Sequence, residues 1–76
     1  MRDLVVWLAE QLVEDKGAVR VSALERDRST VLELSVAPDD LGRVIGRGGR
    51  TAKALRTVLD VAARRHGKRA VLDILD

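Results

Sequence analysis

The chain contains no cysteine among its 76 residues. That excludes a disulfide framework, a cysteine-held zinc site and a cysteine nucleophile, and it leaves a small domain to be held by its core alone. Aromatic side chains are almost as scarce, with Trp7 standing alone and neither Phe nor Tyr present. The exposed aromatic platforms of RNA-recognition-motif sheets, cold-shock barrels and most single-strand-binding OB folds are therefore impossible here, so any binding of nucleic acid needs another device. Long apolar runs are missing too. Leu4–Ala9 is followed at once by Glu10 and Gln11, which makes it too short for a membrane span, and no signal-peptide cleavage region follows. A cytoplasmic protein with no membrane partner is expected. What is present, 46% hydrophobic and 34% charged residues, is close to globular averages and predicts one folded domain over residues 1–76.

Charge of one sign is concentrated in one stretch. Residues 1–41 carry five basic and nine acidic groups, a net of −4, and residues 70–76 add −2. Residues 42–69 carry nine basic groups against Asp60 alone, a net of +8. A solvated helix face can be one-signed, but this excess with glycines at its centre is the electrostatic footprint of a polyanion site.

From Arg2 to Asp15, Leu4, Val5, Leu8, Ala9 and Leu12 follow helical spacing, widened by Val6 and Val13. Lys16-Gly17 is expected to end that helix, with Gly17 as a left-handed cap. Val19, Val21 and Ala23 alternate with Arg20, Ser22 and Leu24, and Leu32, Leu34 and Val36 with Val31, Glu33 and Ser35, predicting two strands. Arg26–Ser29 is short enough to make them an antiparallel hairpin. Pro38 suits the first turn of a short helix running to about Ile45, with Asp39 and Asp40 complementing its dipole. A second helix is predicted from about Arg50 to His66, with Ala52, Leu55, Val58, Leu59 and Ala62 inward. Gly67 stops it, and Arg69–Leu75 reads as a third strand with Ala70, Leu72 and Ile74 inward.

Between those last two helices lies Val44-Ile45-Gly46-Arg47-Gly48-Gly49-Arg50-Thr51. A phosphate-binding P-loop would need Lys at Arg50 and Gly at Val44, and a dinucleotide fingerprint would need a strand before the loop. Neither pattern is met. What remains is Gly-x-x-Gly joining two helices, where a residue without Cβ lets a nucleic-acid backbone approach and the N–H groups opening the second helix point toward phosphates. With Val-Ile before it, a basic residue after it and three strands around it, this segment resembles the KH domain. The order helix, strand, strand, helix, helix, strand is similar to the bacterial type II arrangement, and the run Pro38-Asp39-Asp40-Leu41-Gly42-Arg43-Val44-Ile45-Gly46 resembles the small stand-alone KH proteins of the KhpA type.

That resemblance implies an α+β type II KH-like fold, a three-stranded sheet with three helices on one face. It implies a cytoplasmic, non-catalytic RNA-binding protein, acting as an RNA chaperone or post-transcriptional regulator and able to pair with itself or with a larger KH-containing partner. Carried over to this chain, Gly46 and Gly49 are the loop glycines, Arg47 and Gly48 their variable pair, and Ile45 the groove-lining apolar residue. Bases are expected to lie against a groove that includes Ile45 and, on our own reading of the strand, Val71. Arg50 and Lys53 add charge beside the loop, Arg50 being the nearer. Lys53 and Arg56 have the alternative of being a solvated helix face, and Arg64, Arg65, Lys68 and Arg69 that of compensating the helix dipole. His66 has neither Cys nor a second His beside it, so no metal, cofactor or nucleophile–base pair is expected.

Trp7 shares its arc of the first helix with Asp3, Glu10, Gln11 and Glu14, away from the apolar stripe. It either marks a partner surface, for a homodimer or a heterodimer, or folds back over the core. A protein-interaction subunit with secondary RNA binding is the rival from another class. An enzyme using the loop for phosphate is the third reading, disfavoured by the failed P-loop.

Overall fold

The apolar spacings resolve into three helices and three strands in a computed structural model that describes residues 1–76. Helix α1 spans Arg2–Leu12, strands β1 and β2 span Arg20–Glu25 and Ser29–Ser35, helices α2 and α3 span Leu41–Ile45 and Arg50–Arg64, and strand β3 spans Arg69–Ile74. Single 3₁₀ turns at Lys16–Ala18, Pro38–Asp40 and Arg47–Gly49 lie between them. No helix is long and apolar enough to cross a membrane.

The hairpin forms as the alternation predicts, with β1 antiparallel to β2 and Val21 opposite Leu34. Strand β3 joins the other side of β2 in parallel, Leu72 beside Leu32, so β2 is central and β3 is an edge. Two adjacent parallel strands need a long crossover, and α2 and α3 supply it. The inward side chains Val21, Leu32, Leu34 and Leu72 meet Val5 and Ala9 of α1, Val44 of α2, and Leu55 and Leu59 of α3. All three helices share one face of the sheet, while Leu24, Glu33, Val71 and Asp73 are exposed on the other. The architecture is the α+β, type II KH-like fold.

Helix α1 stops earlier than expected. Its cap is Val13, in extended conformation, and Gly17 lies in a 3₁₀ turn without a positive φ. The cause is Asp40, a carboxylate only 3% exposed, which accepts the N–H of Glu14 at 3.1 Å and that of Asp15 at 3.0 Å. A continuing helix would have given those N–H groups to its own carbonyls. Arg43 Nε completes the cluster at 3.1 Å from Asp40, and its Nη2 reaches Glu14 at 2.6 Å. Asp40, read from sequence as a dipole complement, instead ties the end of α1 to the start of α2, and so fixes the helix that carries Ile45 and the glycine turn.

The N–H groups of Asp15 and then Glu14 hold the Asp40 carboxyl below its ordinary 3.8, with Arg43 adding a smaller lowering and burial opposing them. Because the native pKa is depressed, the contribution to stability is complete above the unfolded value and is lost as pH falls through the native one. Asp40→Asn is therefore expected to lower the urea midpoint at about pH 6, and its gap from wild type should narrow on acidification below about pH 4. Denaturant curves at a series of pH values check this, and a gap that stays constant to the lowest pH would contradict it.

Candidate nucleic-acid interface

Three of the glycines between α2 and α3 adopt conformations that other residues avoid, for different reasons. Gly46 has φ +77° and ψ 168°, and a Cβ there would stand 2.2 Å from Thr51 Oγ1 and 2.8 Å from the Thr51 backbone nitrogen. The chain folds so tightly onto the start of α3 that nothing larger than hydrogen fits. Gly48 and Gly49, with φ of +64° and +77°, have no atom within 4 Å of a Cβ. They open onto free space, where a ligand backbone can come close.

The turn uses some of its own donors. Gly46 N–H closes α2 on Gly42 at 2.8 Å, Gly49 N–H bonds to the Gly46 carbonyl at 3.1 Å, and Arg50 N–H caps onto the Arg47 carbonyl. The expectation that the N–H groups opening α3 face a phosphate is therefore corrected for Gly49 and Arg50. Exposed side-chain charge surrounds the turn. Arg47, Arg50 and Lys53 are exposed and have no ion-pair partner, whereas Arg64 pairs with Asp60 at 2.8 Å and Lys68 with Glu25 at 3.7 Å. Of the basic stretch, Arg43, Arg64 and Lys68 are taken up in ion pairs, while Arg47, Arg50 and Lys53 around the turn are not. Ile45 is half-buried, packed against the core just before the turn.

Helix α3 buries Ala52, Leu55, Leu59 and Ala63, a stripe rotated slightly from the one expected, since Val58 is 44% exposed. Each flank of that stripe borders a groove. On one side Lys53, Arg56, Thr57 and Asp60 face Arg69 and Ala70 of β3. On the other Thr51, Ala54 and Val58 face Trp7, Leu8 and Leu12 of α1, an almost wholly apolar surface with Trp7 57% exposed. Val71 lines neither groove. It stands opposite Val31 on the open side of the sheet and Ala70 takes the groove position, because successive strand residues face opposite ways.

The sequence model of the KhpA/KhpB KH domain matches residues 2–74. The chain belongs to this family. It is 50% identical over 76 residues to the "RNA-binding protein KhpA" of Halalkalibacterium halodurans, covering all of both chains. With the protein of the same name from Aquifex aeolicus it shares 47% identity over 76 residues, all of this chain and 96% of that one. That of Leifsonia xyli is 52% identical over 65 residues, 86% of this chain and 83% of the other. No solved structure matches the chain.

Proposed function

We propose that the protein binds single-stranded RNA, without catalysis, across the Gly46–Gly49 turn and along the groove between α3 and β3, as a cytoplasmic RNA chaperone or post-transcriptional regulator. The observation that carries this reading is a turn open at Gly48 and Gly49, flanked by the unpaired cations Arg47, Arg50 and Lys53. The relatives' name, RNA-binding protein, supports it. Phosphates meet Arg47 and Arg50 at the turn, Lys53 continues the charge down α3, and bases lie beside Ile45 and in the groove. About four nucleotides span such a turn in KH-type recognition. With two or three phosphates neutralised, log affinity against log salt should fall with a slope of roughly −1.4 to −2.1. Fluorescence titration of a short labelled RNA at several salt concentrations tests this, and a flat or several-fold steeper dependence would remove the contact scheme.

The apolar groove supports a second activity, pairing with another copy or with a larger KH-containing protein through α1. An exposed Trp7 over Leu8, Leu12, Ala54 and Val58 has the composition of an interface anchor. Trp7→Ala should weaken self-association by roughly thirtyfold, the equivalent of about 2 kcal/mol. Analytical ultracentrifugation of both proteins reads this directly, and a wild-type monomer at high concentration would defeat the self-pairing form.

A further inference from the structure

The edge of the sheet beside α3 carries a cation, Arg56, held by a strand carbonyl inside the basic groove. Arg69 N–H bonds to the Arg28 carbonyl and Leu75 N–H to the Leu34 carbonyl, both at 2.9 Å. Odd-numbered residues of this strand therefore turn their backbone toward β2, and the N–H and C=O groups of Ala70 and Leu72 lie along the free edge. Arg56 Nε, one turn beyond Lys53 on α3, donates to that free Leu72 carbonyl at 3.3 Å. Its guanidinium has no ion-pair partner and no other protein acceptor, and it lines the groove. Asp60, one turn further along, is taken up by Arg64. One nitrogen of the Arg56 fork is thus tied to the strand, which restrains the plane of the group and leaves its outer pair of nitrogens free.

We propose that Arg56 is a specificity-determining residue, selecting nucleobases that present two adjacent hydrogen-bond acceptors with no donor between them. This rests on the RNA-binding reading above. A restrained planar fork matches two coplanar acceptors and is mismatched to a donor next to an acceptor. Guanine offers such a pair at O6 and N7, and cytosine at O2 and N3 once its pairing edge is unoccupied, as in a single strand. Adenine sets its N6 donor beside both N1 and N7, and uracil sets N3–H between O2 and O4. The groove accordingly favours guanine and cytosine over adenine and uracil. Lysine at this position would keep the charge and lose the fork. Protein addition to the free edge is the competing use of an open strand, but a second basic groove would meet the first with like charge.

The test uses the whole protein and four labelled ten-nucleotide RNAs: all-uridine, and uridine with two central guanosines, cytidines or adenosines. Wild type should bind at least one of the guanosine and cytidine RNAs roughly tenfold more tightly than the adenosine and all-uridine RNAs. The two favoured RNAs separate the purine source of the acceptor pair from the pyrimidine source. Arg56→Lys should bring the four affinities together, with thermal melting confirming the fold. Lys53→Ala, by contrast, should weaken all four in proportion. Binding of all four RNAs with equal affinity by wild type, or preference retained in Arg56→Lys, overturns the assignment while leaving RNA binding intact. Failure to bind any of the four overturns both.

Discussion

Gly46→Ala should cost about 3–5 kcal/mol of stability, whereas Gly48→Ala, two residues on, should cost about 1 kcal/mol. Both glycines have positive φ, so the sign of φ alone does not separate them. The first difference is space. A Cβ added at Gly46 would lie 2.2 Å from Thr51 Oγ1 and 2.8 Å from both Thr51 Cβ and its backbone nitrogen. A hydroxyl can rotate away, but the backbone nitrogen belongs to the first turn of α3 and can move only with that helix, which carries Leu55 and Leu59 into the core. Gly46 also has ψ 168°, in a region that is essentially glycine's own, whereas Gly48 has ψ 18° and lies in ordinary left-handed space. A domain of this size holds on the order of 5–10 kcal/mol in total, so Gly46→Ala should be partly unfolded at 37 °C. Adding Thr51→Ala should restore only a fraction of the loss, because the backbone contact remains. Urea denaturation of the single and double variants measures this, and equal midpoints for Gly46→Ala and Gly48→Ala would sink the steric argument.

The glycine turn was legible in the sequence because its signal is local: glycines at fixed spacing between two helical patterns, in a stretch of one-signed charge. The elements themselves were legible for the same reason. Part of what sequence reading placed wrongly depends on contacts far along the chain. The end of α1 is set by Asp40, whose carboxylate takes N–H groups 25 and 26 residues earlier, and no pattern within α1 records that. The stripe on α3 was misjudged at Val58 and Ala63 because helical spacing identifies an apolar face without saying how much of it a neighbouring helix covers. Thr30 was missed as an inward residue, although it continues the Leu32-Leu34 row and is 1% exposed, since a hydroxyl does not read as core. Its Oγ1 is the one buried side-chain polar atom without a partner. Val71 was assigned to the base groove even though alternation with Ala70 and Leu72 already put it on the opposite side. The parallel pairing that makes β3 an edge was not legible at all, so the strand-held position of Arg56 emerged only from the structure.

Replacing Arg47 and Gly48 together by Asp should abolish most RNA binding while the fold survives, the converse of the Gly46 result. The pair swaps one positive charge for two negative ones at the tip of the turn, a change of three units where a phosphate is proposed to sit. Losing one charge-assisted contact is equivalent to about 1.5–3 kcal/mol, and repulsion adds to it, so a loss of at least roughly thirtyfold in affinity is expected. Neither substitution touches the core. Arg47 is exposed and unpaired, a Cβ at position 48 meets no atom within 4 Å, and Gly46, with its close contact to Thr51, is left in place. The remaining cost is the left-handed conformation of residue 48, at φ +64° and ψ +18°. Aspartate is among the residues that tolerate it best, at about 1 kcal/mol, which lowers the melting temperature of a domain this size by roughly 4–8 °C. Thermal unfolding and RNA titration on the same preparation separate the two effects. A cooperative melt within that range, with affinity lost, places the phosphate at the turn, whereas a folded double variant that binds RNA as wild type does would move the RNA site elsewhere on the domain.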